Sequence, residues 1–122
     1  MEFIRILGIL SFFCAVLFAE SFISDYEYGQ MLFKNPRGIG CNKCHGENGE
    51  GSLIATYKDF NKTSQTYYER KLIAPAIDKI SLQEFADGIT NSKSVMPSYF
   101  LTQDEIIILY KYIKKIGIKD EK

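Results

Sequence analysis

The one histidine of this 122-residue chain, His45, directly follows Cys44, and Cys41 stands one helical turn earlier. Only three cysteines exist, so Cys41-Asn42-Lys43-Cys44-His45 gathers most of the thiol and all of the imidazole chemistry into five residues. C-x-x-C-H is the attachment signature of a c-type haem. Two thiols a turn apart reach the two vinyl groups on one porphyrin edge. The imidazole behind them passes under the ring, where it can bind iron. A chain anchored this way has to wrap a flat cofactor. A zinc site would need four ligands, and adjacent Cys44 and His45 cannot easily share one tetrahedral ion. A thioredoxin-like redox pair would want a βαβ context, and no such alternation is visible.

Iron held by His45 leaves a sixth position, and no second histidine exists to fill it. Beyond the initiator, the methionines are Met31 and Met96. Met31 lies on the segment leading into the proximal side and cannot readily circle the ring. Met96 follows far enough along to return over the distal face, and Pro97 restricts it to extended backbone. Met96 is therefore the expected sixth ligand, with Met31 assigned to helix packing. The metal-binding residues expected are His45 and Met96, and the cofactor-binding set is Cys41, Cys44, His45 and Met96.

Fifteen basic residues balance fifteen acidic ones. That leaves no cationic footprint for nucleic acid, and 46% apolar residues can build a single core. Arg5 is followed by an uncharged run from Ile6 to Ala19, the length of a signal-peptide core rather than of a membrane span. Residues 1–19 are read as a cleaved signal peptide and residues 20–122 as one exported domain. Cys14 leaves with the leader. The two remaining cysteines, three apart, could close only a strained loop.

Three segments carry the same helix-start signal. Ser24 to Glu27, Ser81 to Glu84 and Thr102 to Glu105 each read as a capping box. They open helices expected to run to about Lys34, Ile89 and Ile116, with Gly117 ending the last. Lys111, Lys114 and Lys115 suit that helix's C-terminal end and read as a solvated cationic face. No segment alternates cleanly with period two, so the expected class is all-α. Asn61 to Tyr68 reads as a polar surface stretch with Tyr67 and Tyr68 folding inward. Gly46, Gly49 and Gly51 suit a backbone crossing tightly beside a flat cofactor.

Taken together, about residues 24–116 resemble the class I cytochromes c, the small bacterial monohaem kind. The first helix carries G-x-x-x-[FY] as Gly29 and Phe33, and the last carries L-x-x-[YW] as Leu109 and Tyr112. C-x-x-C-H-G-x-x-G stands at Cys41 to Gly49, and M-P with L-[ST]-x-x-E stands at Met96-Pro97 and Leu101 to Glu105. The resemblance implies a cytochrome c fold of three main helices and short turns around one covalent haem, with the terminal helices crossing at the glycine. Many relatives place a proline after the haem motif whose carbonyl accepts the proximal histidine N–H. Residues 46–58 contain none, so another carbonyl of that loop is expected to orient His45. Trp is also absent, so a Tyr or Asn91 is expected to serve the propionates.

The function expected on these grounds is single-electron transfer in the periplasm, by a monomer and not an enzyme. Its donor would be of the quinol–cytochrome c reductase kind and its acceptor a terminal oxidase or peroxidase. The membrane would be met only through those partners. Rival readings are a haem subunit tethered by residues 1–19, or an open-site haem enzyme or sensor.

Overall fold

The computed structural model describes residues 22–92 and 94–119, with the side chain of residue 119 left out. The expected signal peptide, residues 1–19, lies outside the described residues, as does Cys14. Helix α1 (Asp25–Lys34) begins at the Ser24 cap, where the Ser24 and Glu27 side chains serve each other's backbone N–H. A single helical turn, α2 (Asn42–His45), carries the cysteine–histidine motif. Helix α3 (Leu82–Thr90) opens with a second such box at Ser81. In α4 (Gln103–Lys119) Thr102 accepts from the Glu105 N–H, and Glu105 accepts from the Thr102 N–H. Among the described residues no helix is long and apolar enough to cross a membrane.

The all-α expectation is corrected by the segment between α2 and α3. Strands β1 (Ser52–Asn61) and β2 (Thr66–Ala74) form an antiparallel two-stranded sheet, so about 20% of the described residues are strand beside about 41% helix. Tyr67 and Tyr68 do not fold inward: they are 73% and 44% exposed. Each strand is exposed on both faces over most of its length. No face needs an apolar row, which is why period-two alternation is missing from the sequence. The ribbon stabilises itself through cross-strand pairs. Phe60 and Tyr67 pack with tilted rings 5.1 Å apart on one face. On the other, Arg70 bonds Asp59 at 3.1 Å and covers the Tyr57 ring. Asn61 Oδ1 accepts from the Thr63 N–H at 2.9 Å and turns the chain back.

The core lies between α1, α3 and α4. Leu32 and Phe33 meet Leu109, Tyr112 and Ile113, while Phe85, Ile89 and Ile77 extend the cluster. Tyr112 packs tilted against Phe33 at 5.7 Å and Tyr26 at 5.1 Å. Gly29 lies where α1 meets α4, close enough that an added Cβ would fall 2.5 Å from Tyr112 Cβ. Gly117 does not end α4. The helix continues to Lys119, and Gly117 lies beside Asp78, whose Cβ would be 2.8 Å from an added methyl.

Candidate functional site

An apolar cavity of about 170 Å³, open to the surface, lies between α2, α3, α4 and the segment after α3. Its walls include Cys41, His45, Pro75, Ile77, Phe85, Met96 and Tyr99. Cys41 and His45 are set by α2, whose last residue is buried. Neither Cys41 nor Cys44 is in a disulfide, and both are half-buried. Cys44 is not among the cavity-lining residues. Burial pushes the Cys41 thiol up to about 11, so it stays protonated at neutral pH.

The imidazole is oriented from outside its own loop. His45 Nδ1 lies 2.7 Å from the Pro75 carbonyl oxygen. A carbonyl only accepts, so Nδ1 carries the proton and Nε2 keeps its lone pair for a metal. The expected partner among residues 46–58 is therefore corrected to Pro75, thirty positions downstream. The hairpin explains the distance in sequence. At its base Gly51 N–H donates to His45 O at 2.7 Å, and Ser52 Oγ donates to Cys44 O at 2.6 Å. Ser52 also pairs with Ala74, so the chain leaves the motif, runs out along β1 and returns to the same place. Gly51 has φ of 87°, and a Cβ there would stand 2.8 Å from Ala74 O, so this neck requires glycine. Pro75 is the only proline between His45 and Met96. That was the available sequence signal.

Met96 is half-buried and lines the cavity, whereas Met31, assigned to helix packing, is 57% exposed on α1 and is not part of the core cluster. Among the described residues no three His, Cys, Asp or Glu side chains are grouped to hold a metal ion. The side chains around the cavity that could ligate are the His45 imidazole, the Met96 thioether, the Cys41 thiol and the Glu84 carboxylate, with the Tyr99 hydroxyl also lining it and Cys44 next to His45 in sequence. The structure thus brings Cys41, His45 and Met96 to one cavity within a contiguous apolar wall. The family model for cytochrome c matches residues 26–117.

The chain belongs to the cytochrome c family.

Haem binding and electron transfer come with that membership, and members of the family hold haem c covalently. No curated protein and no solved structure matches the chain. The lining fits the family's cofactor on its own chemistry: a largely apolar surface for a macrocycle, and a histidine whose Nδ1–H is committed to Pro75 O so that Nε2 faces a metal as a lone pair. Of the propionate partners expected, Tyr99 lines the cavity, with its hydroxyl donating to Ile39 O at 2.6 Å. Asn91 is exposed at the end of α3 and is not a lining residue.

Sequence reasoning missed one further group of residues near the site. Arg37 places Nη1 2.9 Å from Glu105 Oε1 and Nη2 2.6 Å from Oε2. Tyr28 donates to Glu105 at 2.7 Å, and Arg37 Nη2 also donates to Phe100 O at 2.8 Å. The guanidinium first, then the Tyr28 hydroxyl and the Thr102 N–H, hold the Glu105 carboxyl well below the usual carboxylate range. Arg37 is separated from Glu105 by 68 positions, so no local pattern signals the pair.

Proposed function

We propose that this protein is a periplasmic, monomeric electron carrier holding one haem c per chain. Cys41 and Cys44 would each add a thiol across a vinyl double bond, fixing the porphyrin at one edge. His45 Nε2 would bind iron on the proximal side while Nδ1 donates to Pro75 O. Met96 would offer its thioether from the other side. A haem so ligated exchanges one electron between ferric and ferrous iron, and the thioether raises its potential by favouring the ferrous state.

The observation that carries this reading is the shared cavity of His45 and Met96, with the imidazole's other nitrogen already committed to Pro75. Glu84 is the one carboxylate among the lining residues, and it accepts from both the N–H and the hydroxyl of Ser81 in the α3 cap. That engagement favours a carrier over an enzyme needing a distal acid–base group. Beside the cavity, Pro36 to Ile39 and Pro97 to Phe100 line a groove, with Ile39 60% and Phe100 94% exposed. An apolar rim of this kind suits brief contacts, under about 1,200 Å², with a quinol–cytochrome c reductase-type donor and an oxidase or peroxidase acceptor. The signal-peptide reading of residues 1–19 supports the periplasmic location.

The test is Met96→Ala in the haem-loaded protein. It is expected to abolish the weak red charge-transfer band of ferric iron–thioether ligation, open the iron to carbon monoxide and lower the potential. Met31→Leu should change none of these. A Met96→Ala protein that keeps band and potential refutes the ligand assignment. Wild type that binds carbon monoxide readily at neutral pH favours the open-site reading.

A further inference from the structure

The segment carrying Met96 is held locally by two hydrogen bonds, from the Ser92 hydroxyl to Met96 O and from the Tyr99 N–H to Ile89 O at 3.1 Å. Residues 94–101 form neither helix nor strand, and Val95 and Phe100 are 69% and 94% exposed. A segment with few buried contacts opens locally unless specific ties close it. Two long-range ties reach it from one place, the loop that leads into Cys41. Tyr99 donates its hydroxyl to Ile39 O, and Arg37 donates Nη2 to Phe100 O.

Arg37 is built for more than a surface ion pair. Its φ is 61°, a region that non-glycine residues rarely occupy and that persists only where surroundings impose it. Glu105 fixes the guanidinium through two hydrogen bonds, and Glu105 is itself buried and held by Tyr28 of α1 and by the Thr102 N–H. The planar fork has a donor left over, and it points to the carbonyl four residues beyond Met96. A lysine ammonium cannot serve two carboxylate oxygens and that carbonyl in the same fixed geometry.

We infer that Arg37 is a positioning residue for the sixth-ligand segment, tying it to the proximal loop and so holding Met96 over the cavity. The inference rests on the reading of Met96 as the ligand. Because Glu105 neutralises the guanidinium, Arg37 acts through the placement of the segment and not through its charge on the iron.

The experiment uses haem-loaded wild type, Arg37→Ala, Arg37→Lys and Met96→Ala, with Ile116→Ala as a core variant away from the segment. Three readouts are compared: the ferric red band, the ferrous carbon monoxide association rate, and the temperatures at which red band and helical ellipticity are lost. Arg37→Ala is expected to weaken the band and to lose it well below helix melting. Carbon monoxide association should rise roughly tenfold, about what one charge-assisted hydrogen bond is worth. Arg37→Lys should fall between Arg37→Ala and wild type. Ile116→Ala should lower the melting temperature while band loss and melting stay together. If Met96→Ala loses the band while both Arg37 variants keep wild-type band and carbon monoxide rate, the positioning role is refuted and the ligand stands. If Met96→Ala keeps the band, the ligand reading fails and the positioning role fails with it. Should Arg37→Ala not accumulate, Arg37→Lys alone decides by the same readouts.

Discussion

A Cβ added at Gly29 would lie 2.5 Å from Tyr112 Cβ and 3.1 Å from the Ile108 carbonyl oxygen. Both atoms belong to α4, so the clash cannot be relieved by turning a flexible side-chain end. Gly29→Val should therefore destabilise by about 1–3 kcal/mol or more, the usual scale of overpacking, with the haem spectrum scarcely moved. Thermal melting followed by ellipticity and by Soret absorption checks both halves. An unchanged melting temperature would show that the helices do not meet there. Glu105 gives a pH-dependent prediction. Its folded carboxyl is held below the ordinary range, so its stabilisation is present at neutral pH. That stabilisation is lost as acid protonates the group. Glu105→Gln should melt lower than wild type at pH 7, by about 1.5–3 kcal/mol of lost charged hydrogen bonding. The gap should shrink steadily below about pH 4. A gap that stays constant into acid would contradict the Arg37–Glu105 account. At this scale short motifs singled out Cys41, Cys44, His45, Met96 and Gly29, and the structure places Cys41, His45 and Met96 on one cavity and Gly29 at the contact of α1 with α4. The sequence was silent on Arg37, Glu105 and Pro75 because their partners are far away along the chain.

Among the elements, α1, α3 and the start of α4 were readable from serine or threonine followed three residues later by glutamate. That signal is local and needs no knowledge of packing. The hairpin was not readable for the opposite reason. Its strands pack against little but each other, so tertiary burial never imprinted an alternating pattern on them. The end of α4 was misplaced because Gly117 is there for its close approach to Asp78, not as a terminator. The ribbon also conceals the usual order of parts around the site: removing residues 53–73 brings the motif loop next to Pro75. Replacing 53–73 by two glycines should leave the His45–Pro75 hydrogen bond in place, because Ser52 and Ala74 are already paired neighbours. Haem retention, the red band and the potential are expected to match wild type. A shifted potential or lost haem would mean that the ribbon itself supports the proximal side.

For the whole molecule, acidic and basic residues balance in number, while lysines crowd the C-terminal end at Lys111, Lys114, Lys115, Lys119 and Lys122. Lys114 and Lys115 lie over the Tyr110 and Tyr26 rings at 5.2 and 4.5 Å, so part of the cationic end of α4 is engaged with the body. What organises the molecule is the apolar cavity. Its walls come from every helix except α1, and much of what lines it would otherwise be an unfilled core. The account therefore stands on covalent haem at Cys41 and Cys44. The most direct measurement is extraction of the purified protein, made with a haem-attachment system, into acidified acetone, with intact mass alongside. The colour should stay on the polypeptide and the mass should exceed the chain's by one haem. Haem released into the acetone, or a colourless protein carrying zinc, would contradict the account.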